Sequence, residues 1–246
     1  MDVRYDLHES SAFINYVHGS AFDDNLRISF DPPPPAVPDR IDILEKISAG
    51  KKIVHLGFCD HLPIVETKIA QNRWLHARLK AVAIRCAGVD IDAVAVEVIR
   101  SRYGVDDVAS GDMTSHDILP IISSDHWDLL VVGEVLEHID NPVQFLAQIR
   151  ELYRVHIDRI VITVPNAFRA GNFLGALKGI ETINSDHRFF FTPYTLTKVA
   201  HQAGLQSESL TFAQFSEVSG IKRLLKKFIL GKAPLLSENL ILVARM

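Results

Sequence analysis

One stretch narrows the folding options more than any other: Trp127-Asp128-Leu129-Leu130-Val131-Val132-Gly133, running straight into Glu134-Val135-Leu136-Glu137-His138-Ile139-Asp140. An apolar run of strand length, without polar alternation, belongs to a strand covered on both faces, as in the middle of a parallel sheet. The polar residues that break it at its carboxyl end fall where open α/β sheets collect ligands. If a helical turn begins at Glu134, then Glu134, Glu137 and His138 stand at i, i+3 and i+4 and share one face. Two carboxylates and an imidazole would then point at a binding crevice.

The rest of the chain supplies the sheet. Strands are expected at Lys51–Gly57, Val82–Asp90, Val105–Ser110, Trp127–Val132 and Arg159–Asn166, with late candidates at Ser207–Phe215 and Leu240–Arg245. After a polar loop, helical patterns pass through Trp74–Leu79, Ala93–Arg102 and Pro142–Tyr153, the last with Phe145, Leu146, Ile149 and Leu152 on one side. Another covers Thr195–Ala203 and is closed by Gly204. This alternation predicts an α/β fold with a doubly wound, mostly parallel sheet.

Residues 1–50 stand apart from the 51–246 domain. They carry the stiff Asp31-Pro32-Pro33-Pro34-Pro35 segment and end in a short helix, Ile41–Ile47. An arm packed on the core is one reading; a cap over the site or a dimer contact is the other. Two inserts interrupt the domain, at 167–185 and 216–239. The first holds Phe168, Phe173, Leu174 and Leu177 after the fifth strand, as a substrate lid or a passive loop would. The second contains Ile221-Lys222-Arg223-Leu224-Leu225-Lys226-Lys227-Phe228-Ile229. A basic amphipathic helix there is either an ordinary core-facing helix or a peripheral contact with a membrane surface or an anionic partner.

Bulk properties remove other classes. With 246 residues the chain buries enough surface to need no staples. Lys plus Arg number 26 and Asp plus Glu 30, a net charge of −4 that argues against nucleic acid as a general partner. Two cysteines, Cys59 and Cys86, give neither a disulfide framework nor zinc spacing, so a reducing, cytoplasmic setting is expected. The charged N-terminal residues do not read as a signal peptide, and no apolar run approaches the ~18 residues of a membrane span. Oligomeric state is left open.

Acids and a glycine recur at strand ends: Gly57 after the first, Asp90 after the second, Asp112 after the third. Glycine lets a ligand approach the backbone, and an acid after a strand can hold ribose hydroxyls; singly, each such Asp also fits a turn or cap. Taken together, Ile53-Val54-His55-Leu56-Gly57, Gly88-Val89-Asp90-Ile91-Asp92, Gly111-Asp112-Met113, the Trp127–His138 stretch and Val164-Pro165-Asn166 make residues 50–245 resemble the class I S-adenosylmethionine-dependent methyltransferases. The resemblance implies a Rossmann-like, seven-stranded, mostly parallel sheet with an antiparallel last strand. It implies S-adenosyl-L-methionine as cofactor, with Gly57 and Phe58 by its methionine part, Asp90 and Ile91 by the ribose, Asp112 and Met113 by the adenine, and Glu134 also in contact. The chain departs from the family in its glycine motif: only Gly57 remains in His55-Leu56-Gly57-Phe58-Cys59-Asp60-His61.

Glu134, Glu137 and His138, with Asp186-His187-Arg188-Phe189-Phe190-Phe191-Thr192 downstream, are similar to the metal site of small-RNA terminal 2′-O-methyltransferases and to the matching stretch of ubiquinone-biosynthesis O-methyltransferases. The resemblance implies Glu134, Glu137, His138 and His187 as ligands of a divalent metal, Mg or Mn. A bound ion lowers the pKa of coordinated water from ~15.7 to ~7, and a coordinated hydroxyl follows the same trend. Without a metal, His187 or His138 serves as the general base. The expected function is O-methylation of a sugar, polyol or related small molecule, with cell-surface glycan as one setting. The alternatives are RNA 2′-O-methylation and a non-catalytic binding protein on a decayed site.

Overall fold

The computed structural model describes residues 5–7, 13–30, 37–214, 230 and 232–246. The proline run at 32–35, the basic stretch 221–229 with both of its readings, core-facing helix or peripheral contact, and most of the 216–239 insert lie outside the described residues.

In chain order the elements are β1 (Tyr5–Asp6), α1 (Ile14–His18), α2 (Arg40–Ser48), β2 (Lys52–Leu56), α3 (Leu62–Ala70), α4 (Leu75–Val82), β3 (Arg85–Asp90), α5 (Ala93–Tyr103) and β4 (Val108–Ser110). There follow α6 (Pro120–Ser123), β5 (Trp127–Gly133), α7 (Pro142–Tyr153), β6 (Ile157–Pro165), α8 (Ala170–Ala176), α9 (Pro193–Gln202), β7 (Gln206–Ala213) and β8 (Asn239–Arg245). They build one sheet in the order β1-β7-β8-β6-β5-β2-β3-β4. The run from β6 to β4 is parallel, and β8 slots between β6 and β7 antiparallel to both. The seven-stranded, mostly parallel sheet with an antiparallel last strand is thus present. The two-residue β1 extends it along the outer side of β7.

Strand alternation divides the core. Leu130 and Val132 of β5 join Val54, Ile160 and Ile162 beneath α7 and α9, while Leu129 and Val131 join Ile53 and Val161 beneath α2 and α4. All four β5 residues are at most 1% exposed, the two-sided burial that the uninterrupted apolar run requires. Polar side chains set several helix starts: Asp39 caps α2, Asp92 caps α5, Asn141 caps α7, and Thr192 with Thr195 forms a capping box on α9.

The polar loop expected after Gly57 is in fact followed by α3, whose Pro63 occupies the first turn, where a missing N–H costs nothing. The 167–185 insert contains α8, which buries none of its residues. In the arm, Tyr5 packs edge-on against Phe30 and Phe212 at 5.3 and 5.6 Å, and Phe13, Ile14 and Val17 are buried. Lys198 Nζ and Tyr194 Oη both donate to the Tyr16 carbonyl, at 2.7 and 3.2 Å. No helix among the described residues is long and apolar enough to cross a membrane.

Candidate active site

The winding reverses at β2, which pairs with β3 on one side and β5 on the other. Crevices form at such points, outside the carboxyl ends of the strands. A cavity of about 990 Å³ opens there. Gly57, Phe58, Asp90, Ile91, Asp112 and Met113 line one part of it; Glu134, Glu137, His138 and His187 line another. Every residue singled out from the sequence for chemistry or cofactor contact therefore borders one space. None of the described residues 5–30 does, whereas the 167–185 insert contributes Arg169, Ala170, Gly171 and Asn184. The insert's larger apolar side chains, Phe173, Leu174 and Leu177, face solvent.

The loop after β2 dispenses with its extra glycines by identifiable means. Gly57 has φ +75°, and a Cβ there would lie 2.7 Å from Val135 Cγ2, so this glycine is required. Past it the left-handed position falls to Asp60, φ +57°, a residue type that tolerates that conformation. Its carboxylate accepts from the His61 N–H and pairs with Lys68. The Cys59 side chain turns into the core and is 1% exposed, leaving the cavity clear of its Cβ. Asp90 ties the loop down: Oδ2 accepts from Cys59 N and Oδ1 from Asp92 N, each at 3.1 Å. Phe58 is buried with its ring where a Cβ on Gly88 would sit, and its carbonyl accepts from Trp74 Nε1 at 3.1 Å. Asp112 Oδ1 accepts from both the amide and the hydroxyl of Thr114, and the Gly111 N–H donates to the Asp90 carbonyl at 2.8 Å, joining the two acidic strand ends.

The other half corrects the sequence geometry. The turn after β5 is a 3-10 turn over Leu136–His138, and Glu134 precedes it with φ +56°. The i, i+3, i+4 arithmetic needs right-handed backbone from Glu134 onward, so it fails at its first member. Glu134 Oε1 instead accepts from Asn239 Nδ2 at 2.8 Å, and Oε2 lies 3.4 Å from Arg40 Nη2.

Glu137, His138 and His187 do converge, each offering a ligand atom within 4.8 Å of the others. Glu137 is fully buried, and neither carboxylate oxygen has a hydrogen-bond partner. Burial, and then the charge of Glu134, pushes its pKa up to about 8. His187 Nε2 stands 3.9 Å from Glu137 Oε1; burial first, then His138, holds the His187 pKa below the usual imidazole value. His138 Nδ1 lies 3.1 Å from the Asp186 carbonyl. A carbonyl only accepts, so Nδ1 carries a proton in this contact. The 186–189 segment is fastened to the turn by Arg188, whose amide donates to the Glu137 carbonyl at 2.8 Å and whose side chain pairs with Asp140. An orphaned buried carboxylate beside two imidazoles is a donor set that fits a divalent cation.

Two cavity residues escaped the sequence reading. Arg40, in the first turn of α2, and Asn239, at the start of β8, reach the cavity from distant parts of the chain. His55, one residue before the end of β2, also lines the cavity, with its Nδ1 3.3 Å from His76 Nδ1. Both rings are buried, and burial drives both pKa values down, that of His76 to about 4. The histidine in the motif was visible; its buried partner was not.

A family model described as a methyltransferase domain matches residues 71–210. Among solved structures, the magnesium protoporphyrin IX methyltransferase of Synechocystis PCC 6803, with bound S-adenosylhomocysteine, aligns with a TM-score of 0.51 at 11% identity, over 83% of this chain and 81% of that one. The small RNA methyltransferase HEN1 aligns with a TM-score of 0.52 at 16% identity, over 92% of this chain but 27% of that one. At such identities the likeness is one of fold. No curated protein matches the chain.

Proposed function

The chain belongs to the class I S-adenosylmethionine-dependent methyltransferases, and on that premise we propose that it methylates a hydroxyl oxygen of a sugar, polyol or related small molecule. The observation that carries this reading is Glu137: a fully buried carboxylate with both oxygens unpartnered, facing His187 across 3.9 Å inside the cavity. An alcohol is a poor nucleophile until its proton is drawn away, and such a pair supplies the means.

The cofactor supplies an electrophilic methyl group on a sulfonium. Asp90 and Asp112 offer carboxylate acceptors to its hydroxyl and amino groups, and Gly57 leaves room for it against the backbone. His187, kept neutral by its surroundings, accepts the acceptor's proton at an imidazole nitrogen. Glu137, 3.9 Å from that ring, is placed to face the charge the imidazole gains on taking the proton. His138, its Nδ1 N–H held by the Asp186 carbonyl, adds a second imidazole. The same three side chains are the ones that would hold Mg or Mn, which would acidify a coordinated hydroxyl. Glu134 falls outside that set, turned to Arg40 and Asn239. The net charge of −4 favours a small or neutral acceptor over a polyanion.

The test is methyl transfer from labelled S-adenosylmethionine to a panel of glycosides and polyols, run beside short RNAs, with and without chelator and Mn. Product on a sugar or polyol is expected. Transfer to RNA alone would overturn the acceptor class. No heat of S-adenosylmethionine binding would instead favour a non-catalytic scaffold.

A further inference from the structure

The head of the 167–185 insert brings to the cavity a charge that the proton chemistry does not use. Among the described residues, the lysine and arginine side chains bordering that space are those of Arg40, Lys68 and Arg169. Arg40 faces Glu134, and Lys68 pairs with Asp60. Arg169 is partly buried, yet among the described residues no carboxylate lies within ion-pair distance of it. Neutral groups hold it instead: Nε donates to Asn172 Oδ1 at 2.7 Å, and Nη2 donates to the Thr182 carbonyl at 2.9 Å. A guanidinium has five N–H donors, so both on Nη1 and the second on Nη2 are uncommitted there.

The same bonds fix Arg169 relative to the reaction centre. Asn172 Nδ2 donates to the Ala167 carbonyl at 3.1 Å, and the Ala167 amide donates to the Phe191 carbonyl at 2.8 Å. Beyond Thr182, the His187 amide donates to the Asn184 carbonyl at 3.0 Å. Arg169 is thereby stitched to both ends of the 182–191 segment that carries His187, and the two side chains border one cavity.

A partly buried cation without a partner of opposite sign is costly until an anion reaches it. We propose that Arg169 holds an anionic group of the acceptor, a carboxylate or a phosphate, while the hydroxyl to be methylated lies at His187. The planar fork can offer paired N–H donors to either group. One such group per acceptor agrees with a net charge of −4, which disfavours only polyanions. This subsite deepens the O-methylation reading and rests on it.

Transfer of labelled methyl to matched acceptors tests it: neutral glycosides and polyols, each run beside its carboxylate and its phosphate counterpart. The wild-type protein is expected to favour an anionic member by roughly tenfold or more in kcat/KM, and the two anionic arms tell carboxylate from phosphate. Arg169→Met should erase that preference, a fall of roughly 10- to 100-fold in the ratio, taken in KM. Loss of the stitching alone would slow neutral and anionic acceptors together and leave the ratio where it was. Should Arg169→Met melt prematurely, Arg169→Lys keeps the charge, loses the fork, and should retain an intermediate preference. Equal use of neutral and anionic acceptors by the wild type, or a preference that survives in Arg169→Met, would overturn the subsite and leave the O-methylation reading standing. Transfer to no member of the panel would overturn both.

Discussion

Glu137 Oε1 and His187 Nε2 face each other at 3.9 Å, just beyond hydrogen-bond reach, with the carboxylate wholly enclosed by protein. Among the described residues that acid caps no helix through its side chain and pairs with no arginine. Replacing His187 by Ala is therefore expected to lower turnover by about 10²- to 10⁴-fold while leaving S-adenosylhomocysteine affinity unchanged. Turnover measured beside calorimetric binding separates the two effects. A matching loss of binding would make His187 a structural residue.

If a divalent ion belongs with Glu137, His138 and His187, Mn should raise the melting temperature. The stabilisation would be about 2.7 kcal/mol at a hundredfold excess over its dissociation constant. Glu137→Gln should abolish the rise. Because Glu137 holds its proton up to about pH 8, the ion must displace that proton, so affinity should climb with pH and level off above 8. A shift that persists in Glu137→Gln would move the ion elsewhere.

Asp90 both faces the cavity and holds the loop after Gly57. Asp90→Ala should weaken S-adenosylmethionine by about 1.5–3 kcal/mol. The same change frees Cys59 N and Asp92 N from the partners they now have, so the loop should also exchange its amide hydrogens faster. An unchanged dissociation constant would remove Asp90 from the ribose position.

The buried His55–His76 pair sets a pH limit. Folding holds the His76 pKa at about 4 against 6.5 when exposed, so below 6.5 the unfolded chain binds a proton that the folded chain refuses. Stability should be fully present above pH 6.5 and decline as pH falls toward 4, by on the order of 3 kcal/mol from this residue. Melting curves across that range check the slope, which His76→Leu should flatten.

Much of this was legible beforehand, for physical reasons. Leu129–Val132 announced a two-sided strand because both faces of a central strand must be apolar. Gly57, Asp90 and Asp112 met in one cleft because strand ends in a parallel sheet share one edge. What stayed hidden depended on backbone conformation and remote packing. Nothing in the letters of Glu134 declares a positive φ, yet that dihedral takes the residue out of the cluster it was counted in. Arg40 and Asn239 arrive from α2 and β8, far apart in the chain, and no local spacing reports such a meeting. The helix α3 was passed over because Asp60, His61 and Pro63 read as loop, although proline is at home in a first turn. Strand β1, at two residues, is too short to carry any alternation.

That short strand has a consequence for assembly. Tyr5 and Asp6 find their partners in Leu210 and Ser209, so the middle of the outer edge of β7 waits for a segment synthesised long before it. Until the two meet, β7 offers a bare margin to any neighbouring chain. Trimming the segment that holds Tyr5 should therefore leave the cleft able to take its ligand but make the protein prone to stick to itself, since what that segment supplies is closure of a border and not chemistry.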